Sequence, residues 1–348
     1  MIKIYACGGA GITLCVKMMP VLKENSNKEG FSEFKFNFLD TTDKNIQHFR
    51  INDNDVHIFK DNSFKSRFID GSGSERRLNF DLISNGINDF LDNKKIANDE
   101  KNINIIIYSS GGGSGSVIGP LLHSKLLELN KPVLSFVIAD TSSLGLIKNT
   151  INTLQTLGNL IKKHNKPVVV NYKVNNELND DYKKSMEQVD SNILKDLNIL
   201  SALFNKDLYN LDLQDIKTFL DYSYLKSLNI PNDLVELKIS NKNIELKENE
   251  KISIIRTMSD SETSPEHNVK NVLHWKYGII SKEEVFETFK EKLPIHSYLV
   301  HNSLIEEIKR LKYLMDKNKE DFNKLNNFNF DITNEMDNVL INDDGFIL

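Results

Sequence analysis

The sequence has only two cysteines, no surplus of positive charge and no long apolar run, and each shortage excludes a class of protein. Cys7 and Cys15 are too far apart for a Cys-x-x-Cys metal or redox motif, so we interpret both as buried apolar residues. A net charge of -5 argues against a chain that coats nucleic acid through its overall charge. No apolar run approaches the roughly 20 residues of a membrane span and no signal peptide is visible, which predicts a cytoplasmic protein.

Glycine is present in an ordinary amount, 16 residues, but most of it falls in three short clusters. Glycine allows positive φ and a close approach of the backbone to a ligand, so that N–H groups converge on an anion. The first and third clusters each follow a predicted strand and precede a predicted helix, whose N-terminus favours negative charge. We therefore predict phosphate-binding loops. The clusters are Gly8, Gly9 and Gly11; Gly71 and Gly73; and Gly111, Gly112, Gly113 and Gly115.

Short β-branched runs alternate with helical patterns in the first half of the chain, which predicts βαβ units and a parallel sheet. Predicted strands cover 3–6, 35–39, 56–59, 103–108, 133–138 and 168–171, and predicted helices cover 13–24, 78–92, 116–129 and 146–164. A helical stretch over 180–228 follows. Beyond Pro231, strands at 234–239, 251–258 and 295–300 mix with a helix at 282–293. The fold class is therefore α/β: a Rossmann-like domain, a long central helix, a smaller α+β C-terminal domain and a long last helix.

The glycine spacing matches neither the Gly-x-Gly-x-x-Gly dinucleotide signature nor a P-loop. A monomeric Rossmann-like enzyme that uses NAD or a sugar nucleotide is the alternative that the doubly wound pattern alone supports. It lacks the required glycine spacing and an acidic residue placed for a ribose after the first loop.

Two motifs in order resemble the tubulin/FtsZ superfamily. Its signature loop, Gly-Gly-Gly-Thr-Gly-Ser/Thr-Gly, is similar to residues 111–117, with Ser114 in place of Thr and Val117 in place of the last Gly. Residues 210–215 are similar to its Asn-x-Asp-x-x-Asp synergy loop, which follows a central helix. The resemblance covers about residues 1–300, and it implies a fold that binds GTP and GDP and a GTPase activity.

The resemblance also implies the nucleotide-binding residues. Phosphate loops correspond to Gly8, Gly9, Ala10, Gly11 and Thr13, to Thr42 and Asp43, and to Gly111, Gly112, Gly113, Ser114, Gly115 and Ser116. Gly71, Ser72 and Gly73 correspond to the loop that senses the γ-phosphate, and Asp140 to the ribose loop. Asn176 and Asn192 correspond to the two positions that read the purine, for which an amide side chain offers both a donor and an acceptor.

The expected catalytic residues are Asn210, Asp212 and Asp215. Carboxylates beside the phosphates of their own subunit would be repelled. In the superfamily they project from the opposite end of the subunit and reach the γ-phosphate of the neighbour, where they polarise a water together with Mg²⁺. A head-to-tail contact that does not close produces a filament, so this resemblance implies self-assembly coupled to hydrolysis.

The expected organisation is a GTP-binding domain at 1–190, a central helix and synergy loop at 191–228, a C-terminal α+β activation domain at 229–300, a C-terminal helix at 301–327 and an acidic flexible tail at 328–348. The end of the chain soon after the last helix disfavours the cell-division branch, which carries a long linker. The overall pattern resembles the plasmid and phage TubZ branch. This implies DNA segregation through a TubR-like, centromere-binding adaptor at the C-terminal region, with DNA contacted only indirectly. A phage-positioning filament like PhuZ is the alternative, which the acidic tail favours.

Overall fold

The computed structural model describes residues 1–60, 76–77, 80–96, 102–242, 244–261, 265–266 and 269–326. The predicted γ-phosphate loop, Gly71, Ser72 and Gly73, and the predicted tail at 328–348 lie outside these residues. Within the described ranges, no helix combines the length and apolar character needed to cross a bilayer. Cys7 and Cys15 are both buried, as expected.

The described strands form one sheet in the order β3-β2-β1-β4-β5-β6-β8-β11-β9-β10-β7. They are β1 Ile2–Cys7, β2 Phe34–Asp40, β3 Val56–Ile58, β4 Ile103–Ser109, β5 Val133–Ala139, β6 Val168–Val174, β7 Leu208–Tyr209, β8 Leu234–Ser240, β9 Lys251–Ser259, β10 His274–Ile280 and β11 Ile295–His301. The described helices are α1 Gly8–Ser26, α2 Phe80–Asn93, α3 Gly115–Glu128, α4 Leu144–His164, α5 Tyr182–Leu203, α6 Leu213–Leu220, α7 Glu283–Phe289 and α8 Ser303–Asn326.

Strands β1 to β6 are all parallel, and β1, β4 and β5 are buried almost without interruption. Such strands need helices on both faces of the sheet. Apolar residues of α1 and α5 pack on one face, and those of α2, α3, α4 and α8 pack on the other. This arrangement confirms the predicted α/β fold class.

The second half extends the same sheet. Strand β8 is parallel to β6 and antiparallel to β11, so it joins the two halves, and β9 and β10 continue the sheet as a parallel pair. Strands β7 and β10 did not stand out in the sequence pattern. Helix α5 runs from Tyr182 to Leu203, and the predicted division between residues 190 and 191 falls inside it.

The last helix lies along its own subunit. Leu304 and Leu311 of α8 are buried in the cluster beneath α4, and Ile308 and Met315 pack partly against the same cluster. One apolar side on an otherwise polar helix is the pattern of a helix that packs on one neighbour. The apolar side of α8 therefore packs against its own chain.

Candidate functional site

The carboxyl ends of β1, β2, β4, β5 and β6 meet at one edge of the sheet. From β1 the chain first builds β2 on one side and later returns to build β4 on the other. Such a reversal of strand order leaves a crevice at the carboxyl ends, where open α/β sheets bind ligands. The structure brings to this edge the first glycine loop, the segment at 41–43, the loop at 111–116, Asp140 and Asn176.

Two helices begin at this crevice. Helix α1 starts at Gly8 directly after β1, five residues earlier than the predicted start at Thr13, and α3 starts at Gly115. Among the described residues, neither N-cap residue, Cys7 or Ser114, caps its helix through its side chain. The first backbone N–H groups of a helix have no partner within the helix, so two adjacent N-termini form a site for anionic oxygen.

The glycines at these helix starts permit close backbone packing. Gly8 has a φ of +71°, and a Cβ there would lie 2.7 Å from the backbone nitrogen of Gly115. A Cβ on Gly115 would lie 2.7 Å from the carbonyl oxygen of Cys7. A Cβ on Gly112, by contrast, would meet no described atom within 4 Å. Gly8 and Gly115 therefore hold the two helix starts together, whereas a Cβ on Gly112 would meet none of the described atoms.

Hydroxyl groups shape the loop between β4 and α3. Ser114 Oγ lies 2.7 Å from Thr41 Oγ1, which links this loop to the one after β2. Ser116 is fully buried, and its hydroxyl donates to the carbonyl oxygen of Gly113 at 3.2 Å. Ser110 contacts Thr150 Oγ1 on α4 at 3.0 Å. The serines of this segment thus fix the loop, and Ser114 joins it to its neighbour.

Two residues that the sequence reasoning missed order the loop after β2. Asp40 is completely buried, and its carboxylate accepts from the backbone nitrogen of Thr41 at 2.8 Å and from Asn45 Nδ2 at 2.7 Å. The Asn45 amide also packs closely against Gly9, because a Cβ on Gly9 would lie 2.8 Å from Asn45 Nδ2. Because β2 ends at Asp40, a polar residue at a strand end was the signal available in the sequence.

The ribose and purine candidates lie together. Asn176 Oδ1 accepts from the backbone nitrogen of Thr141 at 3.0 Å and from its hydroxyl at 3.2 Å. Asp140 accepts from the Tyr182 hydroxyl at 2.8 Å, and this hydrogen bond, together with partial burial, raises the pKa of Tyr182. These contacts tie the loops after β5 and β6 to the start of α5.

Asn192 lies ten residues beyond Tyr182 on α5, about 15 Å along a helix axis, and its contact with the base stays a prediction. Between α1 and α5, Asp190 lies 3.4 Å from Lys17 Nζ, and its partial burial raises its pKa. A carboxylate is the acceptor that the N–H donors of a guanine edge require. Asp190 is therefore a further candidate on this helix, one that the motif comparison passed over.

The predicted catalytic segment lies at the other end of α5. Asn210 has a φ of +66°, which turns the chain between β7 and α6. Asp212 is the N-cap of α6 and accepts from the backbone nitrogen of Asp215 at 2.8 Å, while Asp215 accepts from that of Asp212 at 3.3 Å. The two aspartates thus form a reciprocal capping box.

Asp215 is held by cations and Asp212 faces solvent. Lys276 Nζ lies 2.5 Å from Asp215 Oδ1, and the Arg256 guanidinium donates to the carbonyl oxygen of Asp215 at 3.3 Å. Burial alone would raise the pKa of Asp215, but Lys276, the Asp212 backbone N–H and Arg256 together hold it below its ordinary value. The carboxylate at this end of the subunit is therefore ionised at neutral pH.

The two groups of candidate residues are far apart within one chain. Helix α5 contains 22 residues, about 33 Å at 1.5 Å per residue. Its start contacts Asp140 in the crevice, and its end leads into the segment that holds Asp212. A nucleotide in the crevice is therefore out of reach of the aspartates of its own subunit.

Comparison with known proteins matches residues 1–183 to the model of the tubulin/FtsZ family, GTPase domain. A phage tubulin-like protein of Pseudomonas phage phiKZ is 31% identical over 242 residues, which span 68% of this chain and 67% of that protein. A phage tubulin-like protein of Pseudomonas phage PhiPA3 is 27% identical over 241 residues, 69% of this chain and 66% of that protein.

Solved structures share the fold over the whole chain. A protofilament of TubZ from bacteriophage phiKZ superposes with a TM-score of 0.74 at 24% identity, covering 97% of this chain and 96% of that one. The phage tubulin PhuZ with GDP gives a TM-score of 0.74 at 20% identity, covering 100% and 99%.

Proposed function

This chain belongs to the tubulin/FtsZ family and contains its GTPase domain, and from this premise we propose that it forms head-to-tail filaments whose active site is completed by the next subunit. The domain binds GTP and hydrolyses it to GDP and phosphate. The observation that carries the proposal is the length of α5, which separates the crevice from Asp212 and Asp215. Hydrolysis then needs a second subunit.

In this proposal the phosphates lie against the starts of α1 and α3. Backbone N–H groups of residues 8–11 and 111–116 donate hydrogen bonds to the phosphate oxygens, and Asp140 and Asn176 border the ribose and the base. Phosphoryl transfer asks a protein mainly for positioning and charge stabilisation, which backbone dipoles provide. Asn192 stays the predicted contact to the base, and Asp190 is the alternative candidate.

Mg²⁺ fits the oxygen donors at this edge. Mg²⁺ in nucleotide sites is held by one or two carboxylates together with substrate phosphates and waters. The hydroxyl of Thr42 and the carboxylate of Asp43 would hold it, and Asp43 already pairs with Lys60 at 3.1 Å on the surface. When bound, the ion would neutralise charge on the β- and γ-phosphates.

The aspartates would act on the neighbour. Asp212 is exposed at the free end of α6, so its outward carboxylate oxygen can accept a proton from a water that attacks the γ-phosphate of the adjoining subunit. Asp215, which is held by Lys276 and Arg256 of its own subunit, fixes the orientation of Asp212 through the capping box. Asn210 sets the turn that presents both.

Both ends of the subunit carry exposed apolar surface. Tyr209, next to the aspartates, is 64% exposed, and Tyr224 is 58% exposed. At the crevice, Leu178 and Tyr182 are 47% and 49% exposed. Tyrosines are enriched at the buried centre of protein interfaces. Stacking one subunit on the next would cover both sets, which supports self-assembly along this axis.

The test is the dependence of hydrolysis on protein concentration. Light scattering and phosphate release should both begin above a shared critical concentration when GTP is added. Below it, the rate per subunit should be close to zero. A rate per subunit that stays constant across that concentration would exclude a site shared between subunits.

For the role of the filament, we propose phage positioning, because the sequence relatives described above are phage tubulin-like proteins. DNA segregation through a TubR-like adaptor is the alternative from the plasmid branch. Sedimentation of filaments with host lysate from infected cells would separate them. Recovery of a DNA-bound adaptor in the pellet supports segregation, and recovery of phage structural particles supports positioning.

A further inference from the structure

Two cations converge on the aspartate that we place at the subunit junction. Arg256 of β9 and Lys276 of β10 are register partners on neighbouring parallel strands, so their side chains leave the same face of the sheet. Like charges directly opposite each other destabilise a sheet. Both side chains reach Asp215, Arg256 at its carbonyl oxygen and Lys276 at its carboxylate. A single residue of the synergy loop therefore compensates both charges.

The two cations differ in their surroundings. Arg256 is completely buried, and its guanidinium also lies 5.5 Å from the ring centroid of Phe219 on α6. The side chain of Lys276 is 43% exposed, whereas that of Asp215 is 13% exposed. Arg256 thus anchors α6 to the sheet from below. Lys276 closes the outer side, where the neighbouring subunit would dock.

From this geometry we propose that Lys276 is a positioning residue for GTP hydrolysis, which holds the Asp215 carboxylate in one orientation at the subunit junction. The proposal rests on the function proposed above. Asp215 Oδ1 is held by Lys276 and Oδ2 by the Asp212 backbone nitrogen, so the carboxylate is fixed at both oxygens. The fixed carboxylate in turn fixes Asp212 through the capping box.

Within the described part of the chain, the charged and titratable groups around Asp215 are few. From the loop itself comes Asp212, from β9 Arg256, and from β10 Lys276 and His274. Burial, Arg256 and Lys276 lower the pKa of His274, so this ring is neutral at pH 7. Lys276 is then the one exposed cation among these groups, and its removal leaves the buried Arg256 to balance two carboxylates.

The first test compares Lys276→Met with Lys276→Arg and with Lys217→Met, a matched control on α6. We expect Lys276→Met to lower the hydrolysis rate per polymerised subunit about tenfold, as loss of orientation in proton transfer does. Lys276→Arg should stay within about threefold of the wild type, because the charge is kept. Filaments formed with a slowly hydrolysed GTP analogue should appear at the same critical concentration for all of these chains. A rate for Lys276→Met equal to that of the control would overturn the proposal.

The second test measures the titration of the Asp215 carboxylate and does not depend on enzyme activity. In GDP-bound subunits labelled with ¹³C at aspartate carboxyl carbons, the Asp215 signal is assigned by its loss in Asp215→Asn. Lys276→Met should move its titration midpoint upward by about one pH unit, in the direction expected when a neighbouring cation is removed. His274→Gln should leave the midpoint unchanged. A slower Lys276→Met enzyme with an unmoved midpoint would assign Lys276 a purely structural role and overturn the proposal.

An Asp212→Asn variant separates this proposal from the proposed function. If Asp212→Asn hydrolyses GTP at the wild-type rate, the shared site itself is wrong. If Asp215→Asn is inactive while Lys276→Met is fully active, only the role of Lys276 is wrong.

Discussion

At the scale of single residues, the glycine clusters contain two kinds of position. A Cβ on Gly8 would meet the backbone of Gly115, and one on Gly115 would meet the carbonyl oxygen of Cys7. A Cβ on Gly11 would lie 2.4 Å from the carbonyl oxygen of Ile107. These positions bring α1, α3 and β4 close enough for two helix starts to share one crevice. Gly112 lies in the loop at the same crevice, where a Cβ would meet no atom of the residues that the structure describes. The glycines of these motifs therefore have two different roles. Some allow close packing of the backbone, and others border the proposed ligand site.

Replacement by alanine should separate these requirements. Gly115→Ala forces a methyl group against a backbone oxygen, so we expect a loss of about 1–3 kcal/mol in the free energy of unfolding. Gly112→Ala should change that free energy by less than about 0.5 kcal/mol. Denaturant titration of both variants without nucleotide measures the difference. Equal losses would show that a side chain at Gly112 meets other atoms of the protein in solution.

Much of the site could be predicted from the sequence because it is local. The glycine loops and the Asn-x-Asp-x-x-Asp segment are runs of neighbouring residues, and each run shapes its own backbone. Lys276 and Arg256 could not be predicted as partners of Asp215, because they approach it across 61 and 41 residues of sequence. Only the pairing of β9 with β10 brings them there.

At the scale of elements, the parallel strands were predictable because their buried runs are β-branched and continuous. Strand β10, with residues His274–Ile280, mixes polar and aromatic side chains on a half-covered face, and β7 has only two residues. Neither segment has a hydrophobic pattern strong enough to predict a strand. The start of α1 was predicted too late, because a helix can begin on glycines when its first N–H groups serve a ligand.

The capping box of α6 and the proposed catalysis share two aspartates, and substitutions can divide these roles. Asp212→Asn keeps an N-cap side chain, whereas Asp212→Ala removes it at a cost of about 1 kcal/mol in the free energy of unfolding. We expect both variants to bind GTP and hydrolyse it slowly, and only Asp212→Ala to unfold at a lower denaturant concentration. Wild-type hydrolysis by Asp212→Asn would show that Asp212 acts only as a helix cap.

At the scale of the whole molecule, the nucleotide edge is connected to the last helix by ion pairs. Glu177, beside Asn176, accepts from the Thr141 hydroxyl at 3.2 Å and from Arg310 of α8 at 2.8 Å. Arg310 also pairs with Glu307 at 2.7 Å. The loops that hold Thr141 and Asn176, which we propose to border the ribose and the base, are therefore held against the C-terminal helix.

Removal of this connection should loosen the loops without unfolding the chain. We expect Arg310→Met to weaken GTP binding about threefold, because partly exposed ion pairs contribute at most about 1 kcal/mol. Lys309→Met is the matched control, since Lys309 pairs with Glu306 on the same helix. Titration with a fluorescent GTP analogue measures both. Equal affinities for the two variants would show that α8 does not support the nucleotide loops.

The most direct test of the shared site mixes two variants that are inactive alone. Asp212→Asn binds GTP but lacks the carboxylate at its far end, and Gly112→Trp fills the open rim of its own crevice but keeps Asp212. Each variant by itself should release almost no phosphate. The mixture should regain hydrolysis, because Gly112→Trp subunits supply Asp212 to GTP held by Asp212→Asn subunits. A mixture that co-sediments as filaments and still releases no phosphate would contradict the account.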